Sequence, residues 1–198
     1  MAHTLKNCIA VAGLAVVALT GAAQADLVTN GGFETGDFTG WTQFGNTGFT
    51  GVTGTFNSVN PTSGAYQAFF GSIGSIGGIS QSLAAVAGTT IQVSFMLHNF
   101  GGTPNSFSAT LGGTDLGFSM TDAVAFNYTL YTAVVTVNSA NPLLSFSFQQ
   151  NPSYFLLDAV SADIVNVVPL PPAVLAGIGG LATVGLVGAV RRRRVAKA

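Results

Sequence analysis

Cysteine is nearly absent from this chain. The single Cys8 leaves no intrachain disulfide and no cysteine-based metal site. Charge is scarce as well: 7% of the 198 residues are charged, against about 25% in an ordinary globular domain. Cations are missing from the whole interior. Lys6 precedes it and Arg191, Arg192, Arg193, Arg194 and Lys197 follow it, whereas all seven acids fall between Asp26 and Asp163. The formal net charge of −1 therefore averages an interior of −7 and ends of +6. With no basic residue, the interior is not built to bind nucleic acid, phosphate or sulfate. It has one histidine, His98, and no lysine, which excludes a Cys–His pair and a Schiff-base lysine. No Gly-x-Ser-x-Gly elbow occurs, and strand alternation places His98 on an outward face, so no triad and no catalytic residue is expected.

The two ends are hydrophobic and read as addresses. Met1 to Ala25 has a positive start at Lys6 and an apolar run of 11 residues from Ile9 to Leu19. Small residues at Ala23 and Ala25 then fit a signal-peptidase site, so the expectation is export through the Sec translocon and a mature start at Asp26. At the other end, Pro171 to Val190 is a stretch of 20 residues with one hydroxyl group, that of Thr183. As a helix it would be about 30 Å long, the thickness of a membrane's hydrocarbon core. The arginine run that follows would stay cytoplasmic, which places the interior outside the cell. The expected layout is a signal peptide over 1–25, one domain over 26–166, and a tail over 167–198 with a transmembrane helix at 171–190.

Val168, Pro169, Leu170, Pro171 and Pro172, the apolar stretch, and Arg191, Arg192, Arg193 and Arg194 follow one another in order. The arrangement resembles a PEP-CTERM sorting signal of the VPLPA type. Pro172 stands where that pattern has alanine, and no glutamate lies between the prolines. The resemblance implies an exported protein held in the membrane until an exosortase cuts near the proline motif, and a final place in the cell envelope or exopolysaccharide layer.

The interior holds all 15 phenylalanines, all four tyrosines and the single Trp41. No sustained 3.6-residue apolar period is present. Short alternating runs separated by Gly, Asn, Thr and Pro predict an all-β sandwich. Over 90–98, Ile91, Val93, Phe95 and Leu97 share one face, and over 143–149 Leu144, Phe146 and Phe148 do the same. Further strands are expected at 128–137 and 154–165, and near 65–70, 76–84 and 106–111.

Asn30-Gly31-Gly32-Phe33-Glu34, followed by Gly40-Trp41, resembles the opening of galactose-binding-like jelly rolls found as carbohydrate-binding modules. Phe155-Leu156-Leu157-Asp158-Ala159-Val160 is similar to their closing strand, with Ala159 where a second acid is usual. The resemblance implies a jelly-roll β-sandwich whose first loop and last strand meet, and a structural calcium held by Glu34 and Asp158. It also implies glycan binding, in which aromatic faces stack on sugars while amides and hydroxyls read their hydroxyl groups. Tyr66, Tyr128, Tyr131 and Tyr154 are the candidate binding residues, with Gln67, Asn99, Asn105, Gln149 and Gln150 near them in sequence. Trp41, Phe69, Phe70, Phe146 and Phe148 are expected in the core. The leading expectation is a non-catalytic glycan-binding module. A structural or adhesive matrix protein is the alternative, and a glycoside-active enzyme, which needs only two carboxylates, comes third.

Overall fold

A computed structural model describes residues 26–165. The cleavage site at Ala23 and Ala25, the sorting motif Val168–Pro172, the expected span 171–190 and its arginines lie outside the described residues.

The described chain is all-β. In order, the strands are β1 (Thr42–Gly45), β2 (Thr50–Thr53), β3 (Gln67–Phe70), β4 (Gly77–Ser82), β5 (Thr90–Asn99) and β6 (Asn105–Leu111). There follow β7 (Thr114–Asp115), β8 (Met120–Thr121), β9 (Phe126–Thr136), β10 (Leu143–Gln150) and β11 (Phe155–Ile164). They form two antiparallel sheets. One has the order β1-β4-β10-β6-β7, with β8 pairing on β6; the other has the order β2-β3-β11-β5-β9.

Alternation builds the layer between them. Ile91, Val93, Phe95 and Leu97 of β5 are fully buried and meet Leu144, Phe146 and Phe148 of β10, also fully buried. Aromatic rings carry much of the contact: Phe70 stacks on Phe148 with centroids 3.9 Å apart, and Phe95 meets Phe146 edge-on at 5.1 Å. Such pairs add about 0.5–1.5 kcal/mol each beyond the area they bury.

The first described segment, 26–41, closes the side of the sandwich along β11. Leu27 N–H donates to Ala162 O, and Val160 N–H donates to Gly31 O. A Cβ on Gly31 would stand 1.9 Å from the Val160 carbonyl oxygen, so only glycine allows this approach. Trp41 is a core anchor: it stacks on Phe33 at 6.0 Å and its Nε1–H donates to Asn30 O. Gln81, buried in β4, donates to Thr29 O and Gly40 O and accepts from Thr29 N–H, fixing both ends of the loop.

Two irregularities shape the outer face of the second sheet. β11 shifts register between Asp158 and Ser161, with Ala159 at φ 49°. The β5–β9 ladder shifts between Leu97 and Asn99. Tyr128 and Tyr131, three residues apart on β9, lie on opposite faces by ordinary alternation. The second shift instead brings Phe126 to the face of Tyr131, 6.4 Å from its ring.

Candidate recess on the outer face of the second sheet

Residues 54–66, between β2 and β3, fold over one end of the outer face of the β2-β3-β11-β5-β9 sheet. Three kinds of contact hold them. Phe56 stacks on Phe69 at 4.8 Å and meets Tyr154 edge-on at 4.8 Å, with Phe100 at 6.0 Å. Buried Gln67 donates through Nε2 to Gly54 O and Val59 O and accepts from the Tyr128 hydroxyl. The third contact is made by two carboxylates.

Asp158 is fully buried. Its Oδ2 accepts from Thr62 N–H at 2.7 Å, Thr62 Oγ1–H at 2.6 Å and Ser63 N–H at 3.2 Å, and its Oδ1 accepts from Ala159 N–H at 2.7 Å. Glu34 accepts from Ala65 N–H on both oxygens, at 3.1 and 2.9 Å, and from Tyr66 N–H at 3.2 Å. The first loop and the closing strand thus do meet: a Cβ on Gly32 would lie 3.8 Å from Glu34 Oε1 and 3.9 Å from Asp158 Oδ1. Calcium takes six to eight oxygen ligands. Here each carboxylate oxygen already accepts from an N–H group, and no cluster of three or more acidic, histidine or cysteine side chains occurs among the described residues. N–H dipoles directed at one point stabilise an anion and oppose a cation, so the pair fits a carboxylate-capped loop better than a calcium cage.

Beside the covered region lies a recess of about 370 Å³, lined by Val59, His98, Asn99, Phe100, Ala125, Phe126 and Asn127. That is at the lower end of the range for small-ligand sites. A buried amide network shapes its rim. Asn99 donates to Ala123 O and Val124 O and accepts from Gly101 N–H and from Gln150 Nε2–H. Asn105 donates to Gly102 O and Ala123 O and accepts from Ala123 N–H. Together they pin the loops at 100–104 and 122–125. These amides were candidate sugar contacts by sequence, but Gln67, Asn99, Asn105 and Gln150 are buried and already partnered within the protein.

His98 corrects a sequence expectation. It does lie on the face of β5 opposite Leu97, but it is only 5% exposed. Phe100 covers its ring at 4.4 Å and Tyr128 meets it edge-on at 5.6 Å. Alternation distinguishes a strand's two faces; it does not reveal what lies over either of them. Burial pushes the imidazole pKa below its usual value, so the ring is neutral at neutral pH. Its Nδ1 is sealed and has no hydrogen-bond partner.

The four tyrosines are dispersed. Tyr128 stands beside the recess, half-buried, with its hydroxyl held by Gln67; burial and the nearby Asp158 carboxylate raise its pKa. Tyr131 faces the opposite way and packs on Phe95 at 5.5 Å and Phe118 at 5.1 Å, at the margin of the core. Tyr154 belongs to the Phe56–Phe69 cluster. Tyr66 is 37% exposed and lies over Gly36, in the segment capped by Glu34. Phe100 and Phe126, which sequence reasoning did not single out, line the recess, and Phe69, expected in the core, is half-buried on the outer face beneath Phe56. Asn127 was not singled out at all; in sequence it is one polar residue among many in a strand.

No protein-family model matches the chain, and no curated protein does. Solved structures do. The structure of TmCBM61 in complex with β-1,4-galactotriose superposes with a TM-score of 0.55 at 19% identity, covering 71% of this chain and 99% of that one. The tandem CBM22-1–CBM22-2 domain of Paenibacillus barcinonensis Xyn10C gives 0.54 at 17% identity, over 78% of this chain and 49% of that one. The enzymatically active domain of tailspike protein 4 from bacteriophage CBA120 gives 0.53 at 14% identity, but this chain spans only 21% of its length. The described residues thus form a two-sheet antiparallel β-sandwich with the jelly-roll fold of carbohydrate-binding modules.

Proposed function

We propose that this protein is an exported, non-catalytic glycan-binding module delivered to the cell envelope or exopolysaccharide layer by its C-terminal tail. The observation that carries the reading is the recess. Aromatic and aliphatic side chains form its walls, its polar groups are an imidazole and amides, and no charged side chain lines it. A sugar ring asks for this combination: apolar faces for its C–H surfaces, and neutral donors and acceptors for its hydroxyls. The sandwich that bears the recess shares its fold with a module solved with β-1,4-galactotriose bound and with the CBM22 tandem domain of Xyn10C, which supports the same reading.

The carboxylates weigh against glycoside chemistry. Glu34 and Asp158 are spent on backbone N–H groups, and Asp158 has no exposed surface from which to meet a substrate. Export rests on the residues before Asp26 and after Ile164. Its test is sequencing of the mature chain: an N-terminus at Asp26 and loss of Arg191–Arg194 are expected, and retention of both ends would refute it. Glycan binding is tested by retention of the protein on insoluble neutral polysaccharides. Retention that a soluble neutral oligosaccharide reverses is expected, and passage through every polysaccharide tried would refute the reading.

A further inference from the structure

Among the described residues, one buried side-chain nitrogen or oxygen lacks a hydrogen-bond partner, and it is Nδ1 of His98. A neutral imidazole carries one proton on one of its two nitrogens. Sealing an unpaired N–H in a protein interior is rarer and costlier than sealing an unpaired acceptor. The proton therefore belongs on Nε2, and the ring, which lines the recess, offers that N–H to it. Phe100 and Tyr128 pack against the imidazole and hold its plane. Among the lining polar groups the Asn99 amide is already occupied, whereas Asn127 is exposed at the rim. The recess thus presents one fixed, oriented N–H donor, one adaptable amide and the Phe100 ring.

We infer that the recess beside His98 is the saccharide subsite, with His98 Nε2–H donating to a hydroxyl oxygen of a single uncharged sugar ring that packs against Phe100. The inference rests on the glycan-binding reading and adds a site, an orienting residue and a ligand class to it. The class follows from the lining. With no cation among the described residues, a uronate or sulfate brought into the recess would lose water without gaining an ionic partner. A neutral ring loses only hydroxyl hydration, which the imidazole and amide replace.

The full chain contains two histidines, His3 and His98, so histidine-selective 15N labelling yields two imidazoles, assigned by the spectrum of an H98Q variant. The probes are β-1,4-galactotriose, xylohexaose and trigalacturonate. Expected is a neutral His98 protonated on Nε2, whose Nε2 resonance moves saturably with one or both neutral probes and not with trigalacturonate. The H98F variant, which keeps the aromatic packing, should bind that neutral probe about three- to tenfold more weakly, the loss of one neutral hydrogen bond. Saturable neutral binding with His98 unmoved and H98F unimpaired would overturn the subsite and leave the glycan reading standing. Binding of trigalacturonate alone would overturn the ligand class. Failure of the wild-type chain to bind any glycan of a neutral panel would overturn both. Should H98F not fold, the titration of wild-type His98 still decides between these outcomes.

Discussion

Replacing Asp158 tests whether the loop over the second sheet is held by a buried carboxylate. In D158A, four hydrogen bonds disappear, and the donors Thr62 N–H, Ser63 N–H and Ala159 N–H lose their acceptor. A hydrogen bond to a charged group contributes about 1.5–3 kcal/mol, and a buried orphan donor costs about 1–3 kcal/mol. Thr62 and Ser63 are themselves exposed, so their N–H groups can turn to water once released, and the full sum is not reached. The expected loss is about 3 kcal/mol. D158N is the sharper comparison. Its carbonyl can face the three donors of Thr62 and Ser63, leaving its NH₂ against Ala159 N–H alone, so its cost should be about 1–2 kcal/mol. Urea unfolding gives both values, and hydrogen exchange should show the amides of Thr62, Ser63, Ala65 and Tyr66 losing protection together in D158A. A D158A loss below about 1 kcal/mol, or equal losses in the two variants, would refute the reasoning.

Acid should act in two windows. Burial lowers the folded pKa of His98, so the unfolded chain takes up the proton first. Stability is then complete above about pH 6.5 and falls as pH drops below it, a slope that H98F should abolish in urea titrations. Asp37 and Asp115 have folded pKa values lowered by hydrogen bonds from Thr35 and Thr39 and from Ser119 and Gly117, so their contribution is lost only as pH falls below about 3.8. G31A should destabilise by more than about 2 kcal/mol because its Cβ would meet backbone, whereas G113A, at φ 81° with open space around it, should cost only the left-handed strain of about 1–2 kcal/mol. Similar losses for the two glycines would contradict this account of the first loop. Calcium added to chelated protein should leave the melting temperature unchanged, since N–H groups already occupy Glu34 and Asp158; a rise would show a cation bound to the folded state.

The sandwich was legible wherever a strand has one dry face and one wet face. The alternation of Ile91 to Leu97 and of Leu144 to Phe148 marks both the strand type and its inner side, and each of those residues is fully buried. The expected strands near 65–70, 76–84, 106–111, 128–137 and 154–165 match β3, β4, β6, β9 and β11 to within about two residues. The four-residue β1 and β2 and the two-residue β7 and β8 carry too few residues to show a period.

The candidate site was harder to read, for physical reasons. A strand's own pattern does not report that residues 54–66 return over its outer face, which is why His98 reads as exposed and is buried. Nor does it report a register shift: Phe126 and Tyr131, five residues apart, share a face because the β5–β9 ladder slips between Leu97 and Asn99. Glu34 and Asp158 were found as a pair through their resemblance to a known opening loop and closing strand. Apart from the Thr62 hydroxyl, their partners in residues 62–66 donate through the backbone, which no side-chain pattern announces.

The most direct measurement is isothermal titration of the protein with neutral and acidic oligosaccharides of matched length. Saturable binding of a neutral oligosaccharide, weakened in H98F and absent for its uronate counterpart, is the predicted result. Heat-silent titrations with every neutral sugar, confirmed by passage through neutral polysaccharide columns, would contradict the glycan-binding account.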